Sequence, residues 1–281
     1  MTKTQETQET QETQETQETQ ETQETQEPWV HILNTINYKG EDEITITADQ
    51  MKDAKNTWKG QSKSQFEPRL LAYNTSADSR CSAFKDRGLN IMPIKNGTYL
   101  LTKANIYKTL DYQESEPITI KKNTVSVVLP FGNSETSLID NLRYSGVFER
   151  AELLGEPILF GPLLNGRHRC SFDMILNNKP ISISGVQCEI DSCYESANKI
   201  LLIEGKSSTK QIDSFNIRQL YFPLRMLASF ASTASSIIKK TIETAFIHEY
   251  KGVVHIWKYT FEDINKMDSI RLLGHYTYKL V

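Results

Sequence analysis

Between Ile200 and Lys206 the chain reads ILLIEGK, four apolar residues followed by a carboxylate, a glycine and an ammonium. An apolar, β-prone run of this length is a strand covered on both faces. Side chains alternate along a strand, so Glu204 and Lys206 point the same way with Gly205 between them. Upstream, Val186–Asp191 reads as a second strand in which Glu189 and Asp191 share a face. The turn-like text Ser192–Lys199 lets the two strands pair antiparallel, gathering two carboxylates and one ammonium at one end of a sheet. Buried carboxylates require a partner or a metal, because an isolated charge is costly away from water. Oxygen donors of this kind suit Mg²⁺, which takes one or two carboxylates and keeps several waters.

Asp191, twelve intervening residues and then Glu204-Gly205-Lys206 resemble the signature of the PD-(D/E)xK nucleases. The wider text, GVQCEID, KILLIEGK and FNIRQLYFPLR, resembles a group of type II restriction endonucleases. Ile190 stands where that signature has a proline, which leaves Glu189 as well as Asp191 as the first acid. The resemblance implies an α/β (α+β) fold over residues 133–281, a mixed sheet flanked by helices. It implies a Mg²⁺-dependent endonuclease that hydrolyses double-stranded DNA at a specific sequence as a homodimer, with a cognate DNA methyltransferase as its genetic partner. Asp191 and Glu204 would be metal ligands, with Glu189 a further ligand or a partner to Lys206. Lys206 would stabilise negative charge, since the adjacent carboxylates oppose the lowered pKa that a base needs. Gln219 would place water or substrate, and Arg218 would grip a neighbouring phosphate. Arg167, beside His168 and Arg169, is a further candidate for DNA contact. Two other functions stay open: a nuclease of the same fold that reads structure or damage, and a DNA-binding regulator with an inert core.

The other segments divide the chain of 281 residues. Thr4–Glu27 is eight copies of Thr-Gln-Glu without one apolar residue. Such a segment cannot bury surface to offset its ordering entropy, so residues 1–27 are expected to be a disordered tail. The whole chain has net charge −3, but Lys3 and eight glutamates belong to the tail. The remainder has 31 basic and 27 acidic residues, a mildly basic body that permits a phosphate-bearing partner without requiring one. Cys81, Cys170, Cys188 and Cys193 have no zinc spacing and read as buried thiols, which together with the absence of a signal-like start predicts a cytoplasmic protein. No apolar run approaches the roughly eighteen residues of a membrane span, so no membrane partner is expected.

Residues 28–132 read as an α/β module. Trp29, Ile32, Leu33 and Ile36 recur at helical spacing after Pro28, and Thr47 or Asp49 can cap a second helix. A helix is expected over Ser79–Arg87, then a hairpin turning at Lys95-Asn96-Gly97. This order is compatible with a winged helix-turn-helix or with an α/β layer that flanks the nuclease core. Lys59, Lys63, Arg69, Arg80, Lys85, Arg87 and Lys95 form a candidate DNA-reading set, with Arg80 and Arg87 about two turns apart on the expected helix. From residue 133 the pattern gives a helix over Thr136–Leu154 broken near Gly146, and strands at Arg169–Leu176, Ile181–Asp191 and Ile200–Lys206. A helix over Phe215–Phe230, kinked near Pro223, and strands at Ala245–Tyr250 and Val253–Phe261 complete it.

Removing residues 2–27 should leave the thermal midpoint within about 2 °C of the full chain, because a segment that buries nothing contributes little to cooperative unfolding. A drop of several degrees in a calorimetric scan would show that the tail packs on the body.

Overall fold

A computed structural model describes residues 26–58, 66, 75–113, 115–122, 134–233 and 240–281. The repeats up to residue 25, Lys59, Lys63, Arg69, the segment Glu67–Tyr73 and the strand-like text at 125–129 lie outside the described residues. The protein is a mixed α/β (α+β) chain that divides into two compact units, one ending at Asn105 and the other running from Ile106 to Val281. That division comes earlier than the boundary expected at residues 132 and 133. Strand β4 (Tyr107–Thr109) pairs with β10 (Ser214–Asn216), and β5 (Ile118–Ile120) pairs with β13 (Ile270–Leu280). Their partners lie far downstream, where no local pattern reveals them.

The first unit holds α1 (Gln26–Thr35), β1 (Glu43–Ile46), α2 (Ala48–Thr57), α3 (Ser82–Lys85), β2 (Asn90–Lys95) and β3 (Thr98–Thr102). Strand β3 is antiparallel to both β1 and β2. Thr47 caps α2 through a reciprocal pair of bonds with Gln50, which satisfies two donors at the helix start. Trp29, Ile32, Met51, Phe84, Ile91 and Leu101 meet in its core. The helix expected over Ser79–Arg87 is only four residues long. Ser76 and Ser79 exchange side-chain bonds with each other's backbone, and such local bonds compete with helix formation. Arg80 therefore precedes the helix and shares no helical face with Arg87.

The second unit begins its larger elements with α4 (Glu135–Tyr144), capped by Ser134, whose side chain accepts from the Ser137 amide. It ends well short of Leu154. Gly146 takes the left-handed backbone at φ 73°, and a short 3-10 turn over Val147–Glu149 follows. Strands β6 (Gly166–Leu176) and β7 (Lys179–Ile190) form an antiparallel hairpin. A six-stranded sheet has the order β5-β13-β12-β11-β9-β8. In it β9 (Lys199–Ser207) lies between β8 (Ser192–Glu195), which is antiparallel, and β11 (Thr241–Tyr250), which is parallel. The three-strand meander is thus modified. After Asp191 it is β8, not β7, that pairs with β9, so the chain steps from hairpin to sheet at that residue. Helix α5 (Arg218–Thr233) lies on the crossover from β9 to its parallel neighbour β11. It begins three residues later than expected, because Phe215 belongs to β10. Pro223 stands within the helix. Strand β12 (Val253–Phe261) pairs with β11 and with β13, where a bulge near Tyr259 interrupts the alternation that would have marked β13 in the sequence.

The two faces of this sheet differ. Leu201, Ile203, Ala245, Ile247 and Ile256 pack beneath Leu138, Ile139 and Leu142 of α4. On the other face Phe246 stacks on Phe215, at a ring distance of 4.5 Å. There His255 Nδ1 lies 3.1 Å from His275 Nε2, and Trp257 stacks on His275 at 4.8 Å. Among the described residues no helix is long and apolar enough to cross a membrane.

Burial, reinforced by the neighbouring imidazoles of His275 and His248, lowers His255 to about 4, and burial also lowers His248 and His275. The unfolded chain takes up these protons near 6.5, so between pH 6.5 and about 4 it binds more protons than the folded chain. Stability then falls as the pH falls through that window. The urea midpoint should drop between pH 7.5 and pH 4.5, and drop less in His255→Phe. An equal drop in both proteins would remove His255 as a cause.

Candidate active site

Strand β9 is buried from Leu201 to Gly205, as its apolar run requires. Glu204 consequently carries its carboxylate into the protein, with 6 % of its surface exposed. Two partners hold one of its oxygens: Lys206 Nζ lies 2.8 Å from Oε1, and the Gln219 Nε2–H₂ group donates to Oε1 at 2.5 Å. Gln219 is the second residue of α5, so this helix start reaches the strand end from one side of the sheet. Its other amide atom, Oε1, is buried and accepts no bond from the described residues.

Asp191 lies at the step between β7 and β8. Pairing of β8 with β9 ends at Ser192 and Ile203, and beyond it Asp191 Oδ2 accepts the Gly205 N–H at 2.8 Å. A side-chain oxygen thereby extends the ladder by one bond and sets a second carboxylate against the strand end. Glu189 is placed otherwise. Its side chain is more than half exposed and stands 3.8 Å from Arg167 Nε across the hairpin. Between the two candidate first acids, Asp191 is the one brought against β9.

The third carboxylate comes from Glu135, the first residue of α4, whose Oε1 is 3.3 Å from Lys206 Nζ. The sequence reading missed it. An acid at a helix start is ordinary, since it suits the helix dipole. Its only other signal was a position at the opening of the first core helix, and its lysine partner lies 71 residues away. Gly205 is the point of contact between this helix and the strand: a Cβ there would stand 3.2 Å from Ile139 Cδ1.

These surroundings set the charges. Burial raises Glu204 to about 7, and the nearby Asp191 and Glu135 add to the rise against the opposing pull of Lys206. Burial also raises Asp191, although the Gly205 N–H and Lys206 oppose it. For Lys206 burial acts downward, but Glu204, Glu135 and Asp191 outweigh it and raise its pKa. The lysine is a firmly held cation.

The other sequence candidates are dispersed. Arg218, the first residue of α5, is only 8 % exposed and lies 5.8 Å over the Phe222 ring. Its charge also acts on the buried thiols of Cys170 and Cys188, so a role at a surface phosphate does not match its position. His168 is bonded through Nε2 to the Leu164 carbonyl at 2.7 Å. Arg80, Lys85 and Arg87 belong to the first unit. Arg80 donates to the carbonyls of Ala77 and Leu89 and to Asn90 Oδ1, which braces the turn before α3. Arg87 donates to the Ala83 carbonyl, and Lys85 is exposed.

Among the described residues no three acidic, histidine or cysteine side chains form a ready metal cluster. The donor chemistry nevertheless fits Mg²⁺: Asp191 and Glu204 offer carboxylate oxygens, two carboxylates are as many as that ion commonly takes, and the buried Gln219 oxygen has no donor among the described residues.

Because α4 packs against Gly205, Gly205→Val should destabilise the protein by about 1–3 kcal/mol, the usual range for overpacking. Urea denaturation measures this, and a variant as stable as the parent would show that Ile139 and Glu135 move aside freely.

Residues 102–279 match the family described as Domain of unknown function (DUF6997), and residues 26–101 match the one described as Domain of unknown function (DUF6996). No curated protein and no solved structure matches the chain.

Proposed function

The chain belongs to the DUF6997 family, and we propose that it is a divalent-metal-dependent endonuclease of the PD-(D/E)xK kind, cutting double-stranded DNA at a specific sequence. The observation that carries this is the convergence of Asp191, Glu204 and Lys206 at one end of β9, joined there by Gln219 and Glu135. The element order supports it in part: helix α4, the strands β6, β7 and β9, helix α5 and the parallel strand β11 come in the order of that nuclease core, although β8 stands between β7 and β9 and takes β7's place beside β9. In the first unit, helix, strand, two helices and a hairpin, with β3 between β1 and β2, suit a winged-helix DNA reader.

Asp191 and Glu204 would hold Mg²⁺, which when bound polarises the phosphate and favours an activated water. The chain's own groups do the rest. Lys206, held as a cation, offsets charge that builds on the phosphate oxygens as the attacking oxygen adds and the phosphorus–oxygen ester bond breaks. The Gln219 amide fixes Glu204 through its N–H₂ group and leaves its carbonyl oxygen to accept a proton-bearing water. Glu135 keeps Lys206 at the strand end. The attacking water gives a proton up to solvent, and the leaving oxygen takes one from it. A homodimer would supply a second such centre for the second strand, and a cognate methyltransferase would protect the host's sites.

The test is digestion of a sequenced plasmid by the full chain, with Mg²⁺ or with a chelator. Discrete fragments that need the metal are expected. Asp191→Ala should abolish them, and Lys206→Ala should slow cleavage by about 10²–10³-fold, as loss of one charge-stabilising donor does. A smear in place of bands would favour a nuclease that reads structure or damage. Binding without cutting would favour the inert regulator. Because Glu204 takes up a proton near pH 7, Mg²⁺ should raise the thermal midpoint more at pH 8 than at pH 6. Full activity in Asp191→Ala would sink the assignment.

A further inference from the structure

The loop that leaves β9 directly after Lys206 and Ser207 is clamped at both ends from a third direction. His248 of β11 is the register partner of Lys206 and is wholly buried. Its Nε2 reaches the Ser208 carbonyl at 3.2 Å, and its Nδ1 lies 2.8 Å from the Tyr112 hydroxyl. That hydroxyl stands 3.0 Å from the Ile212 carbonyl, to which or to His248 Nδ1 its one proton goes, and it accepts the Ile212 N–H at 3.4 Å. Further bonds close the frame. The Lys210 amide donates to Ser208 Oγ at 3.1 Å, and the Leu110 amide donates to the Asp213 carbonyl at 2.9 Å, where β10 begins. Between the clamped ends, Thr209, Lys210 and Gln211 are exposed. A hydroxyl, an ammonium and an amide, the last donating to Asp213 Oδ1 at 3.3 Å, are thus presented on a backbone fixed beside the candidate lysine.

We propose that the Ser208–Asp213 loop contacts DNA next to the cleaved bond, and that Tyr112 and His248 are its positioning residues. The proposal rests on the nuclease function proposed above and adds the element that touches substrate. An ammonium suits a phosphate, and a glutamine amide suits a base edge or a sugar-phosphate oxygen. Fixing the backbone in advance lowers the ordering cost of such contacts. Tyr112 and His248 serve this without touching DNA, because both face the loop's carbonyls from the protein side.

Three proteins test it beside the full-length parent: Lys210→Ala with Gln211→Ala, Lys210→Arg, and Tyr112→Phe. Each is measured for plasmid binding in Ca²⁺, plasmid cleavage in Mg²⁺, thermal midpoint, and amide hydrogen exchange over residues 207–213. The double variant should lose about three- to tenfold in KM, the worth of one or two hydrogen bonds, with kcat, midpoint and exchange unchanged. Lys210→Arg should restore most of it. Tyr112→Phe should speed exchange at Ile212 and raise KM without lowering kcat. Parental KM and binding in the double variant would overturn the loop's contact with DNA, and parental exchange in Tyr112→Phe would overturn the clamp. If the parent binds plasmid but never cuts it, the nuclease function falls and the binding arm alone decides the loop. If it neither binds nor cuts, both proposals fall.

Discussion

A carboxylate buried on a central strand is the constraint around which the second unit is arranged. Glu204 sits opposite Phe246 of the parallel strand β11, one residue past the last pair with β8, and its side chain lies under the start of α5, away from water. Desolvation of a charge there costs several kcal/mol unless partners compensate. Lys206 and Gln219 supply partial compensation, and the rise of Glu204 to about 7 records how much burial outweighs them. A fold selected for stability alone would place an apolar residue at this position. Keeping the acid implies a use for it.

The groups gathered around Glu204 arrive from three directions, and each depends on a different structural feature. Helix α5 brings Gln219 because the crossover to a parallel strand must pass over that face. Helix α4 brings Glu135 because its apolar side packs on Leu201 and Ile203 and meets Gly205, the one residue of the EGK triplet that leaves room for it. Asp191 arrives because the chain changes sheets at that residue, where the backbone bonding of one ladder stops and a side chain continues it. The site is therefore built on regular elements and is braced from both faces, the arrangement that holds polar groups to a defined geometry.

The local features were legible in the sequence. The apolar run ILLI identified a strand buried on both sides, the alternation after it put Glu204 and Lys206 on one side, and Thr47 and Asn96-Gly97 marked a helix start and a turn. What was illegible is nonlocal. Nothing in the text around Glu135 ties it to Lys206, and the short strands β4 and β5 exist only because distant partners complete them. Arg80 and Arg218 show the opposite error. Basic side chains in a chain suspected of binding DNA invite assignment to phosphate, yet one braces a turn and the other is buried over Phe222.

The charge balance at the strand end bears on the metal-dependent reaction proposed above. Asp191, Glu204 and Glu135 surround a single ammonium, so when all are ionised the cluster has an excess of negative charge. A phosphodiester, itself anionic, would be repelled by such a cluster. Protonation of Glu204 would relieve part of the excess, but only at or below neutral pH. A divalent cation held by oxygen ligands would cancel it at higher pH, so that an anionic phosphate is no longer repelled and can meet the cation directly. The same excess makes Lys206 a poor base, because three neighbouring carboxylates stabilise its protonated form. Its usefulness to the proposed chemistry is then as fixed positive charge next to the reacting phosphate, and the water must be activated by something other than the lysine.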